Sequence, residues 1–380
     1  MAIVFINDIE TNKLLNAFNN NVVIFYQNDL VRVALKAEIL IGGTTLTLYP
    51  DPDGVFTYNF KQIITSLINQ SNYSDDLIID VDNSLIYNHE TNSYKNYNIS
   101  FKIFLDDDTN ITITRDTNWM ASYTQLLEYK RTNISNLNIS QTIALIPQLD
   151  INTNKSYLKY WSGFPFDIPI YCGNTDSIEI KNLDNDELIG FGDPEKIVRA
   201  IISNGNPSEQ SIDNTLIIGY GTTIIEVSTE STSHTIELEK IQPDCSDVYY
   251  FKFLNRYSKW SYWLFKRGKT NRTTKSLGFI NNDNNNIEDT ISPYVFTGKE
   301  SDDVISLTYD ITTPEEREIL EDLFETNKTY LYIGTPGTSS FNDFVEVNIK
   351  AGSLKIKAAK RDALKIDLQV ELPERTTRRL

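Results

Sequence analysis

The sequence predicts a mainly β chain, built as two or three antiparallel β-sandwich-like domains with a few short covering helices. Apolar residues recur with period two in several short runs, clusters of Gly, Pro, Asn and Asp separate those runs, and helical spacing is confined to a few segments. A length of 380 residues exceeds what one core usually holds. We therefore expect domains over residues 1–150, 151–242 and 243–380, both boundaries being set by composition alone.

In the first of these, Val31, Val33, Leu35, Ala37 and Ile39 have the period of a half-buried strand. Gly42-Gly43 turns the chain into a returning strand over Thr44 to Tyr49, and Pro50 to Gly54 turns it again before Val55 to Tyr58. Phe60, Ile63, Ile64, Leu67 and Ile68 share a helical stripe over 59–69. A hairpin is expected over Asn98 to Leu105 and Asn110 to Arg115, with Asp106-Asp107-Asp108 at its tip. The middle region carries expected strands at Ser177 to Lys181 and Thr215 to Ser228. A helix is expected between them, capped by Asp193, with Pro194 at its first position and Gly205 beyond its end. In the last region Thr313-Pro314-Glu315-Glu316 has the form of a capping box, and Ile319, Leu320, Leu323 and Phe324 stripe the helix that follows. Thr329 to Ile333 reads as a central, covered strand. A meander should close the chain, with strands marked by Val345, Val347 and Ile349, by Leu354, Ile356 and Ala358, and by Leu364 to Leu372. Its turns fall at Ala351-Gly352 and Lys360-Arg361-Asp362.

The chain holds 35 basic and 52 acidic residues, a formal charge of −17, which disfavours general binding to nucleic acid or anionic membranes. Met1 to Asp8 has no basic leader pattern, so synthesis in a cytoplasm is expected, and no run reaches the roughly 18 apolar residues of a membrane span. Cys172 and Cys245 are too few for a disulfide scaffold or a cysteine zinc knuckle; two buried thiols are expected, one disulfide being the alternative.

Little points to catalysis. His89 and His234 are the only histidines, and nothing local to either suggests a Ser–His–Asp or Cys–His arrangement. The acidic clusters at Asp106, Asp184 and Asp302 fall in expected turns and read as solvated. Asp80, Asp82 and Ser84 imitate an EF-hand, but Leu85 replaces its glycine and Thr91 its glutamate. Gly190-Phe191-Gly192-Asp193 is too short for a dinucleotide fingerprint. No cofactor, metal or enzymatic activity is expected.

The segment from Phe251 to Lys275 reverses the charge of its surroundings. Lys252, Arg256, Lys259, Lys266, Arg267, Lys269, Arg272 and Lys275 stand among aromatics with no acid between them. Three readings fit. The first is a hairpin turning at Asn255 to Trp260, with aromatics inside and bases facing an acidic neighbour; the others are an aromatic platform for a glycan and a stacking surface for single-stranded nucleic acid.

The stretch from Cys245 to Phe265 includes Leu254-Asn255-Arg256-Tyr257-Ser258 between two aromatic strands. It resembles structural proteins of phages and prophages of Bacteroidetes hosts, in which a Leu-Asn-Arg-Tyr-Gly turn occupies this place; here Ser258 replaces the glycine. The Thr-Pro-Glu-Glu helix with its closing meander, and the strand pair ending Tyr49-Pro50-Asp51, are similar as well. The resemblance implies a virion component of the tail, baseplate or neck, and brings no catalytic residues. It implies a symmetric oligomer meeting other virion proteins, with ring contacts in which an acidic face meets a basic one. The expected assembly residues are Lys252, Arg256, Lys259, Trp260, Trp263, Lys266, Arg267, Arg375, Arg378 and Arg379. The alternative is a carbohydrate- or host-receptor-binding module, adhesin-like, which requires a solvent-exposed row of Tyr and Trp.

Overall fold

The computed structural model describes residues 2–29, 31–68, 75, 79, 84–89, 93–125, 132–173, 175–243, 248–266, 268–281, 284, 287–288, 290–338, 342–350 and 364–375. Alternating runs become strands throughout. The first set is β1 (Ile3–Asn7), β2 (Leu14–Asn16), β3 (Val22–Gln27), β4 (Ala34–Ile41), β5 (Thr44–Leu48), β6 (Phe56–Asn59), β7 (Ile86–Asn88), β8 (Tyr94–Leu105) and β9 (Asn110–Met120). Helix α1 (Lys61–Ile68) lies between β6 and β7, and the Asn59 side chain accepts a hydrogen bond from its first amide at 3.1 Å. A three-stranded sheet, β1-β3-β6, and a five-stranded sheet, β2-β9-β8-β4-β5, enclose one core that includes Phe25, Phe56, Phe60, Phe101 and Trp119.

In β4 the expected alternation holds only in its second half. Ala37, Ile39 and Ile41 are buried, but Val33 and Leu35 are exposed. Between Ala34 and Lys36 the pairing with β8 slips, so Leu35 is the extra residue of a bulge. One extra residue inverts the face of everything before it, a change that period-two reading does not detect.

The second set is β10 (Thr142–Ala144), β11 (Lys155–Trp161), β12 (Pro165–Cys172), β13 (Ser177–Asn182), β14 (Leu188–Gly192), β15 (Ile197–Asn204), β16 (Gly221–Ser228) and β17 (Ser233–Ile241), with a single helical turn at Ile212–Thr215. They form the sheets β10-β12-β15-β7 and β11-β17-β16-β13-β14. Here the expected helix after Asp193 is overturned: the chain forms β15, hydrogen-bonded to β12 and β7, with all eight residues buried. Ile197, Val198, Ile201 and Ile202 are β-branched and covered on both faces, so tertiary pairing overrides the Asp-Pro start signal. Asp193 instead takes a positive φ of 50° in the preceding turn.

The third set is β18 (Tyr249–Leu254), β19 (Trp260–Phe265), β20 (Gly268–Asn281), β21 (Tyr294–Ile311), β22 (Thr329–Tyr332), β23 (Phe344–Ile349) and β24 (Leu364–Glu371), with α2 (Pro314–Glu325) before β22. Their sheet runs β19-β18-β22-β23-β24-β21-β20, which places β22 in its interior, between β18 and β23. The capping box of α2 is present: Thr313 Oγ1 accepts from the Glu316 amide at 3.2 Å, and the Glu316 carboxylate accepts from the Thr313 amide at 3.3 Å. The expected strand at Leu354, Ile356 and Ala358, with its flanking turns, lies outside the described residues.

One core runs across residue 242, from Ile178 and Ile236 to Trp263, Leu320 and Val370. It also runs across residue 150, because β7 and β10 complete the sheet of β12 and β15. A third cluster, centred on Tyr257, joins Leu14 and Met120 of the first set to Leu145 and Ile197 of the second. Cys172 is a buried free thiol, pushed up to about 12 by burial; Cys245 lies outside the described residues.

Candidate assembly interface

Strands β18 and β19 form the expected hairpin, paired from Tyr249↔Phe265 to Leu254↔Trp260. Its turn is held by one side chain. Asn255 Oδ1 accepts from the amides of Tyr257 and Lys259 at 2.9 and 3.1 Å, while its Nδ2 donates to the Leu145 carbonyl and Ser261 Oγ. Ser258 sits at φ 52°, in the left-handed region that favours glycine, and its hydroxyl donates to the Ala121 carbonyl. The Tyr257 hydroxyl donates to the Thr132 carbonyl at 3.0 Å, so the turn is clamped from both sides.

The bases of this hairpin face inward. Lys252 and Arg256 are each 3% exposed, and Lys259, Trp260 and Trp263 are also buried. Arg256 Nε donates to Asp322 Oδ1 at 2.8 Å, and its own amide donates to Asp322 Oδ2 at 2.9 Å. Lys252 donates to Asp75 and lies 4.7 Å from the centre of the Trp260 ring and 5.1 Å from that of Phe344. Asp75 also accepts from Arg199 at 2.6 Å, and Arg199 forms a two-pronged pair with Asp167 at 2.7 and 2.9 Å. The Tyr262 hydroxyl donates to the same Asp167 carboxylate. Burial works to raise the Asp75 carboxyl, but Arg199 and Lys252 outweigh it and hold the group well below the usual carboxylate range. Two cations and two anions thus close on one another inside the core, where unpaired charge would be very costly.

As placed, Lys252, Arg256, Lys259, Trp260 and Trp263 therefore offer no surface to a second molecule. The reason is that acids distant in sequence neutralise Lys252 and Arg256 while the rings fill the core. The same burial removes the row of exposed Tyr and Trp that a glycan platform on this hairpin requires. Of the remaining expected contacts, Lys266 is exposed, Arg375 pairs with Asp303 at 3.2 Å, and Arg267, Arg378 and Arg379 lie outside the described residues.

What is exposed is the next pair of strands. β20 and β21 run antiparallel from Gly268↔Leu307 to Asn281↔Tyr294. Among the described residues, only the part of β21 from Val304 onward has a second neighbour, β24, and the rest pairs with β20 alone as a two-stranded ribbon. At its base a Cβ on Gly268 would meet the Tyr249 ring at 2.4 Å, so glycine is required where the arm leaves the core. Arg272 and Arg375 both grip Asp303 there, Arg272 through bonds of 2.7 and 3.0 Å. Every residue of β20 except Gly278 is exposed, including Lys269, Arg272 and Lys275. Towards the tip Phe279 (63% exposed), Ile280, Tyr294, Val295 and Phe296 face solvent, with the rings of Phe279 and Tyr294 5.0 Å apart, edge to face. The signal for this arm was in the sequence: Leu277 to Ile280 and Tyr294 to Phe296 are apolar runs flanking the polar stretch that begins Asn281-Asn282-Asp283-Asn284.

The two histidines are interior. His234 Nε2 lies 2.9 Å from Ser156 Oγ, and its Nδ1 lies 3.0 Å from Asn154 Oδ1, the order of a serine–histidine–amide relay. The ring is fully buried, however, and Ser156 is 4% exposed, so the pair is packed as part of the interior. Burial pulls His234 down to about 4 and His89 down to about 3, the latter helped by Arg199 and Lys259. Both rings are neutral at pH 7. Among the described residues, neither His89 nitrogen has a hydrogen-bond partner.

No family model matches the chain, and no curated protein matches it. Among solved structures, the fibronectin(III)-like modules of Clostridium thermocellum CbhA are 10% identical over 63% of this chain and 94% of theirs, with a TM-score of 0.20. The titin Z1Z2 domains in complex with telethonin are 7% identical over 64% and 98%, with a TM-score of 0.18. A bacterial ice-binding adhesin concerned with host cell surface retention is 9% identical over 82% and 93%, at 0.20. Likeness at this level carries no functional argument; the sandwich-like sheets of this chain stand on its own strand pairing.

Proposed function

We propose that the chain is a structural protein of a bacteriophage virion, a tail-, baseplate- or neck-type component that acts by assembling with copies of itself and with other virion proteins. The observation that carries this reading is the arm. A long ribbon with an apolar tip wastes exposed hydrophobic surface on an isolated molecule, and among the described residues no strand pairs with the outer side of β20. Both features make sense when a partner covers them. The resemblance of the Cys245–Phe265 stretch to phage structural proteins supplies the particle.

Replacing Phe279 and Phe296 together by Asp should convert an assembled protein into a monomer, because two desolvated anions are very costly in an apolar contact. Sedimentation velocity reads the mass and circular dichroism reads the fold, which should be unchanged because neither ring belongs to a core cluster. Assembly equal to that of the wild type would remove the arm from the account.

A further inference from the structure

We infer that a small cavity between the β11–β17 face of the middle sheet and the start of α2 is a binding site for a primary ammonium group. None of its residues belongs to the arm, so it stands or falls independently of the assembly reading. Strand pairing builds one side of it. β11 and β17 run parallel, with Tyr157 beside Glu237 and Lys159 beside Glu239, and residues two apart on a strand share a face. The protein already binds one ammonium here. Lys159 Nζ lies 3.5 Å from Glu239 and 2.9 Å from Glu316, which stands in the first turn of α2. One step along, the pattern repeats, with Glu237 on β17 and Glu315 on α2 lining the cavity together. Among the described residues no base forms an ion pair with either of these two carboxylates.

The cavity holds about 160 Å³, and its wall also includes Gln148, Asp150, Lys155 and Tyr157. Asp150, Glu237 and Glu315 are half-buried, while Lys155 is exposed and pairs with none of them among the described residues. Burial, then Glu239, Glu316 and Glu315, push the Tyr157 hydroxyl well up, so that part of the wall stays neutral. Gln148 is the second, independent sign of a ligand. It is 6% exposed, and its Oε1 is buried with no hydrogen-bond partner among the described residues. A buried acceptor left unpaired is unfavourable and calls for a donor. No group of three His, Cys, Asp or Glu among the described residues could hold a metal ion, so the spacing suits a larger cation that brings its own donors. A primary ammonium has three N–H groups, enough for the Glu237 and Glu315 carboxylates and the Gln148 carbonyl, and such charge-assisted bonds are the strong ones.

Saturation-transfer NMR on the full chain tests this with ethylammonium and with tetramethylammonium, which carries the same charge but no N–H donor. Ethylammonium should bind at least about tenfold more tightly, roughly 1.4 kcal/mol. Glu237→Gln and Gln148→Leu should each weaken ethylammonium by at least about tenfold without lowering the thermal midpoint. The first change is isosteric at a half-buried position, and the second removes an unpaired buried acceptor. A capped lysine peptide separates the two sources of the group. Binding as tight as that of ethylammonium supports the site as one for a protein's lysine side chain, and binding of ethylammonium alone supports it as one for a free amine. No binding of ethylammonium, equal affinity for the two cations, or unchanged affinity in both variants would overturn the site. A wild-type chain that binds ethylammonium but never self-associates would sink the assembly reading and leave this one in place.

Discussion

Lowering the pH from 7.5 to 4.5 is expected to remove about 5 kcal/mol of folding stability through His89 and His234, at 1.36 kcal/mol per unit of pKa difference. The sign follows from burial. Both folded-state values lie below the unfolded value of 6.5, at about 3 and about 4. In the unfolded chain both rings take up a proton as the pH falls through 6.5, while in the folded chain they stay neutral. Stability is therefore complete above about pH 6.5 and falls with the pH until the folded rings protonate in turn. Asp75, held low by Arg199 and Lys252, adds a loss only in more acid solution, below the ordinary carboxylate range. Urea unfolding at half-unit steps of pH should show the free energy dropping most steeply between about 6 and 4, by up to about 2.7 kcal/mol per unit when two protons are involved. His234→Gln should reduce that slope by about half. A flat profile over this window would mean that the rings are reached by water and titrate normally.

Replacing Arg199 by Met should cost about 3–5 kcal/mol, the range for leaving a buried charge without its partner. Arg199 bridges Asp167 and Asp75. Without it, among the described residues, the buried Asp167 carboxylate keeps the Tyr262 hydroxyl and Asp75 keeps Lys252. The double variant Arg199→Met/Asp167→Leu should recover part of the loss, because exchanging a whole buried pair for apolar groups is far less harmful than breaking it. Denaturant midpoints of the single and double variants give the coupling. A cost below about 1 kcal/mol for the single variant would show that the cluster is hydrated.

How much of this was legible depended on whether the cause was local. The capping box of α2, the stripe of α1 and the Asn255–Trp260 turn are each written within a few residues, and each was read correctly. The bulge at Leu35 is a property of two strands, visible only in the register with β8. β15 was missed because its pairing with β7, more than 100 residues earlier, outweighs a helix start signal four residues before it. The basic hairpin shows the same limit. Its shape was readable, but the partners of Lys252 and Arg256 are Asp75, 177 residues away, and Asp322, 66 residues away. A run of cations among aromatics looks the same in sequence whether it faces solvent or a buried carboxylate. The arm was readable in principle, from two apolar runs around an Asn-rich turn, but nothing local distinguishes a ribbon that projects from one that packs.

The central claim, that this molecule works by self-assembly through its exposed arm, is tested most directly by its mass in solution. Light scattering on the wild-type chain and the Phe279→Asp/Phe296→Asp variant, from low to high salt, should give a defined oligomer for the wild type. The variant should stay monomeric throughout, because charged groups replace the apolar rings of the contact. A wild type that is monomeric at every salt and concentration, or a variant that assembles as well as the wild type, would contradict the account.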